Sequence, residues 1–161
     1  MDGETGQLVW SEDYSTLNNE RVVAGAVDAD GNLMVVGRAF GDGFYDIIVQ
    51  KYDGDTGLNQ WSQQFASPAI LDDVGWDVAV DSQGRIAVCG LLGTSPSEAD
   101  AMVALLDPTF GETLWQRNLP GAINNIEVRA GWLTIADNDD IMLGTRTWES
   151  TTGYDLVLAR L

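Results

Sequence analysis

The sequence predicts an all-β chain built from blades of the β-propeller kind: three four-stranded antiparallel repeats of about 53 residues. Three observations carry that prediction. A turn followed by a tryptophan occurs three times, as Asp2-Gly-Glu-Thr-Gly6 before Trp10, Asp53-Gly-Asp-Thr-Gly57 before Trp61, and Asp107-Pro-Thr-Phe-Gly111 before Trp115. These tryptophans stand 51 and 54 residues apart, a period that suits a repeat array. Between them, short apolar runs rich in β-branched residues alternate with turns made of Gly, Asp, Asn and Pro.

The second copy is the clearest. Residues 76–81 form an apolar run that ends at the turn Ser82-Gln-Gly84, and the near-continuous apolar run 85–92 predicts a strand buried on both faces. Residues 93–100 have loop chemistry, residues 101–106 make a third strand, and residues 112–119 close the unit after the turn 107–111. The first copy follows the same order, with its hairpin turn at residues 29–32 and a glycine-rich loop at 41–43. Gly37, Gly90 and Gly144 recur with gaps of 53 and 54, and Asp46, Asp100 and Asp155 with gaps of 54 and 55. In the third copy Trp132 is matched with Trp76, and the turn 137–140 reads as about two residues shorter than its counterparts. The loop 145–152 carries Trp148, and residues 155–161 form a third strand. The expected units are therefore 20–66, 74–119 and 126–161, the last completed by residues 6–14 either in cis or from a neighbouring chain. Open apolar faces and unpaired edges invite association, and three blades are fewer than a ring needs. A head-to-tail homodimer with six blades is the favoured assembly, with a larger ring or a fragment of a longer array as the alternatives.

Charge and residue usage narrow the function classes. Asp and Glu number 25 against 8 Lys and Arg, a formal charge of −17, which disfavours nucleic acid and anionic membrane surfaces as partners. There is no His, so the commonest general base and metal ligand are missing. Cys89, the single cysteine, sits in an apolar run and reads as a small buried hydrophobe. No stretch approaches the length of a membrane span, and the acidic start lacks the features of a secretory signal.

At the tryptophan turn the sequence resembles a known family. Residues 51–57 followed by Trp61 resemble the tryptophan-docking motif of quinoprotein-type propellers, in which an Asp-x-x-Thr-Gly turn precedes a strand whose Trp packs between adjacent blades. The first copy matches equally well, and the copy at 107–111 departs from the motif by carrying Phe110 in place of Thr. Residues 27–37 are similar to bacterial β-propeller repeats found in tandem in large surface or secreted proteins. The resemblance implies docking roles for Trp10, Trp61, Trp115, Thr5, Thr56, Gly6, Gly57 and Gly111. It also implies a propeller grown by repeat amplification and an extracytoplasmic or cell-surface address. Enzymes of the quinoprotein group carry pyrroloquinoline quinone and calcium. This chain has neither the adjacent-cysteine pair nor the longer domain to house that cofactor, so no cofactor is expected.

The remaining candidates are weighed against structural roles. Asp28, Asp30 and Asn32 alternate as oxygen ligands do in calcium loops, yet no bidentate Glu follows and the same residues are favoured in hairpin turns. The repeat-phased tryptophans read as packing rather than as sugar-stacking platforms. Phe44, Tyr45 and Trp148 lie in equivalent loops and are the candidates for a ligand-binding rim, with protein or carbohydrate as the ligand class. Paired acids such as Asp72-Asp73 and Asp139-Asp140 read as turn residues rather than an acid–base pair. The expected function is a non-enzymatic binding scaffold. The alternatives are a fragment or component of a quinoprotein-like propeller enzyme and an amplified or designed half-propeller with no ligand of its own.

Overall fold

The computed structural model describes residues 5–15, 18–41, 43–69, 71–96, 98–119, 131–149, 151 and 153–161, with the side chains of residues 146–149 and 154 outside that description. Among the described residues there is no helix, and eleven strands form three antiparallel sheets. Sheet 1 is the meander β1 (Arg21–Val27), β2 (Leu33–Phe40), β3 (Tyr45–Tyr52) and β4 (Asn59–Phe65). Sheet 2 repeats it with β5 (Val74–Val80), β6 (Ile86–Ser95), β7 (Glu98–Leu106) and β8 (Thr113–Leu119). Sheet 3 has three strands, β9 (Trp132–Ile135), β10 (Ile141–Glu149) and β11 (Gly153–Arg160), with β10 in the middle.

Sheet 2 lies between the other two, which explains its sequence. Along β6, Ile86 and Val88 point into a core shared with Met34, Val36, Ile47 and Val49 of sheet 1. Ala87 and Cys89 point the opposite way, into a core shared with Leu133, Ile141 and Leu143 of sheet 3. Alternate side chains of a strand face opposite sides, so a strand with two covered faces must be apolar at every position. The first strands of the three sheets are also neighbours, β1 beside β5 and β5 beside β9.

The hairpin registers define equivalent positions. Val27, Val80 and Ile135 pair with Leu33, Ile86 and Ile141, so the first turn has one length in all three sheets. The expected shortening at 137–140 is not present. Asp139 instead takes the left-handed conformation (φ 64°) that Gly31 and Gly84 take in the other turns, a cost that Asp tolerates better than most residues. Gly37 faces Val22 and Gly90 faces Gly75, each beside a bulge, and the equivalent residue in sheet 3 is Thr145 rather than Gly144. Trp132 pairs with Gly144 and is 53% exposed, whereas Trp76 is the bulged residue of β5 and packs into the second core, so the two are not equivalent. Asp46, Asp100 and Asp155 do coincide, opposite Ala39, Leu92 and Thr147.

Two expected loops are largely strand. β6 and β7 continue pairing out to Ser95 and Glu98, and β10 and β11 out to Glu149 and Gly153, because the ladder satisfies backbone groups that a loop would leave to water. Residues 6–15 form no strand and do not pair with β11 in cis. They lie at the sheet 1 end of the stack, two sheets away from β11. The expected start of the third unit at 126 lies outside the described residues.

The segment joining sheets 1 and 2 is fixed by a buried acid. Asp73 is fully buried, accepting hydrogen bonds from the backbone N–H groups of Gly93 (2.7 Å) and Ser67 (2.6 Å). Burial pushes its carboxyl above the ordinary value, although those bonds pull the other way. A raised folded-state value makes this group's share of stability greatest in acid, declining as pH rises through that value. Asp73→Ala leaves the buried Gly93 N–H and the part-buried Ser67 N–H without an acceptor. The expected loss is at least about 2 kcal/mol, measured by equilibrium urea unfolding.

Candidate functional site

The repeated feature with functional consequence is a dock between one sheet and the next. In the turn before β4, Asp53 Oδ1 accepts from the Thr56 N–H (2.8 Å) and Oγ1 (2.6 Å), and Gly57 takes φ 75°. These hydrogen bonds hold the Asp53 carboxyl below its ordinary value. Trp10 lies flat on this turn. Its Nε1 donates to the Gly54 carbonyl (2.8 Å), and a β-carbon on Gly57 would fall 2.7 Å from its ring. Only glycine satisfies both the left-handed φ and the close approach.

Trp61 repeats the contact on the turn of sheet 2. Its Nε1 donates to the Pro108 carbonyl (3.2 Å), and its ring covers Gly111 (φ 72°) at 2.5 Å from a would-be β-carbon. Phe110 does not disturb this dock. Its backbone N–H bonds to Asp107 Oδ1 (2.9 Å), as that of Thr56 does to Asp53, while its ring points outward at 72% exposure. The turn therefore needs the Asp and the Gly, and the Thr hydroxyl only reinforces it. Thr5 and Gly6 repeat two features of these turns, with Gly6 at φ 70° and Thr5 Oγ1 accepting from the Gln7 N–H (3.3 Å), as Thr56 does from Leu58. Nothing among the described residues lies within 4 Å of the Gly6 β-position. Trp115 packs by its ring against the second core, and among the described residues no such turn receives it.

Lys51 ties the dock to the hairpin turn of sheet 1, a role the sequence does not announce. Its ammonium pairs with Asp28 Oδ2 (3.0 Å) and donates to the same Pro108 carbonyl that Trp61 uses (3.1 Å). The carboxylate is committed further, because Asp28 Oδ1 accepts from the N–H groups of Asp30 (3.0 Å) and Asn32 (2.9 Å). Burial opposes its ionisation, but the bonds from Asn32 and Lys51, together with the Lys51 charge, hold the carboxyl below its ordinary value. The three residues considered for calcium thus serve a turn whose charge Lys51 already balances, with Asp30 exposed. Among the described residues no three His, Cys, Asp or Glu side chains cluster as metal ligands would.

The rim candidates separate. Tyr45 begins β3 with the Arg38 guanidinium 4.2 Å above its ring and Phe40 edge-on at 5.3 Å. Phe44 is half-buried just before it. The side chain of Trp148 lies outside the described residues, and its backbone pairs with Tyr154 at the position where Phe40 pairs with Tyr45. Cys89 is buried, with its thiol pushed up to about 12, chiefly by burial.

The adjacent acids turn out to be inter-element staples. Asp72 Oδ1 accepts from the Tyr45 N–H (3.0 Å) while Asp73 serves Gly93 and Ser67. Asp139 accepts from the Ser82 N–H (3.0 Å) and hydroxyl (2.8 Å), joining the first turns of sheets 2 and 3, and Asp140 pairs with Arg160. Asp77 Oδ2 accepts from the Leu133 N–H (2.9 Å) across the same junction.

A cleft of about 210 Å³ opens on the outer face of sheet 1. Leu33, Val35, Ile48 and Tyr52 form its floor, and Trp10 and Tyr14 stand beside it. Sheet 3 exposes apolar side chains at the opposite end, with Leu156 at 72% and Leu158 at 65%.

Lys51→Met removes the cation from a nearly buried pair. The expected cost at neutral pH is about 3 kcal/mol. Because the Asp28 value is depressed in the fold, the stability it contributes is present above its unfolded value of 3.8 and fades as pH falls through the folded one. The difference between wild type and variant should therefore shrink below about pH 4, as urea unfolding across pH reads directly.

No protein-family model matches the chain, and none of the characterised proteins compared with it does. Among solved structures it is similar to BamB from Moraxella catarrhalis, at 13% identity and a TM-score of 0.27. The similarity covers 87% of this chain and 53% of that one, so the chain spans about half the length of that protein.

Proposed function

We propose that this protein is a non-enzymatic β-propeller scaffold, a rigid binding module whose sheets are blades and whose copies assemble head to tail into a closed ring. The observation that carries the reading is the lap of two of the three repeat tryptophans over the glycine turn of the sheet that follows them, Trp10 on Gly57 and Trp61 on Gly111. Together with β1 beside β5 and β5 beside β9, it supports a reading in which successive sheets radiate from their first strands, as blades do around a channel. A contact that joins one end of a unit to the other end of the next propagates until rotation closes it. Two chains of three blades give a ring of six.

The binding role rests on chemistry. Without His, and with its one thiol buried and un-ionised, the chain offers little for nucleophilic or acid–base work. A charge of −17 directs it toward cationic or neutral protein and carbohydrate surfaces and away from nucleic acid. The aromatic positions at the β2–β3 and β10–β11 ends supply the rim.

Size-exclusion chromatography with light scattering tests the assembly. The expected result is twice the chain mass. Because each copy carries −17, association should tighten as salt rises from about 0.01 M to 0.15 M, where the screening length falls from ~30 Å to ~8 Å. A single-chain mass throughout would overturn the ring.

A further inference from the structure

The exposed face of sheet 3 has a covered counterpart in each of the other sheets. Asp46 and Asp155 occupy one position, so Leu156 and Leu158 are the equivalents of Ile47 and Val49. Ile47 and Val49 are fully buried because sheet 2 covers them, and Ile47 reaches to within 2.6 Å of a would-be β-carbon on Gly90. At the other end of the stack, Leu33, Val35, Ile48 and Tyr52 are the equivalents of Ile86, Val88, Met102 and Leu106. That second set is fully buried and forms the sheet 2 half of the same interface. The two ends of the molecule are thus the two halves of an interface that it already makes internally, and they continue that series.

Two further details point the same way. Gly6 takes the left-handed φ of the dock glycines with nothing among the described residues within 4 Å of its β-position, and Trp115 is the repeat tryptophan without a dock among those residues. Trp10 already holds residues 8–14 beside sheet 1, where the last strand of a preceding sheet would sit.

We infer that a second copy of this chain occupies both ends, in one register. Leu156 and Leu158 of one copy fill the cleft on sheet 1 of the other, and Trp115 lies on the Gly6 turn. Residues 8–14 become the fourth strand of sheet 3 along the β11 edge. Trp10 matches Trp61 by its dock, and β3 pairs Ile47 with Phe65, Val49 with Gln63 and Gln50 with Ser62. The same ladder sets Leu156 opposite Tyr14, Leu158 opposite Glu12 and Ala159 opposite Ser11. This inference rests on the head-to-tail reading and adds the residues that meet.

Ser11→Cys with Ala159→Cys in one chain tests the register, because Gln50 Nε2 already reaches Ser62 Oγ (3.1 Å) at the equivalent pair and Cys89 is buried. Mild oxidation should give a covalent two-chain species on non-reducing gels, while Glu12→Cys with Ala159→Cys, slipped by one residue to the other face, should not. Leu156→Asp, at a position 72% exposed in the single chain, should reduce the two-chain mass to one chain and leave the far-ultraviolet dichroism unchanged. A two-chain mass without the Ser11–Ala159 cross-link, or one that survives Leu156→Asp, overturns the register and leaves the ring standing. A one-chain mass for the unmodified protein overturns both and gives these faces to a different partner.

Discussion

A flat indole on a left-handed glycine is the contact on which the stack depends. It asks for three things at once: a turn that puts a glycine at positive φ, a backbone carbonyl aimed at the indole N–H, and no side chain between ring and backbone. The Asp at the head of the turn secures the first by accepting the N–H groups of the turn on its carboxylate. Geometry then supplies the second at the residue after the Asp, Gly54 or Pro108, whose carbonyl accepts the indole N–H. Where Trp61 of sheet 1 meets the turn of sheet 2, donor and acceptor belong to successive sheets, so the contact fixes spacing and rotation between them as well as their adhesion.

The same constraint explains how burial is shared. Once Trp61 sets the angle between sheets 1 and 2, Ile47 must enter the hollow at Gly75 and Gly90, and two bulky strands approach without overlap. Sheet 2 is covered on both faces, and its strand β6 is accordingly a nearly continuous apolar run. The end sheets have one face each without that cover, and burying a Leu or Ile side chain is worth roughly 1.5–3 kcal/mol.

Much of this was legible in the sequence, for a physical reason. Strands, turns and the tryptophan period are local patterns, and the doubly buried β6 was visible as an unbroken apolar run. Register was harder. Gly144 fits the glycine series by count but sits one residue away, because the turn before β10 keeps its full length by placing Asp139 where the others use glycine. Extension of β10 through Trp148 was hidden by the polar, loop-like composition of residues 145–152, although the backbone pairs there all the same. Least visible were the acids. In a chain with 25 carboxylates nothing marks Asp73, Asp77 or Asp139, and only the fold reveals that each receives a backbone N–H from another element.

Lys51 has a practical corollary. It is the sole lysine, and its ammonium is clamped between the Asp28 carboxylate and a carbonyl with 8% of its side chain accessible. The folded chain therefore presents no reachable ε-amine, and reagents that acylate lysines find that group only when the first two sheets part. Reactivity at this one nitrogen is a built-in clock for their opening.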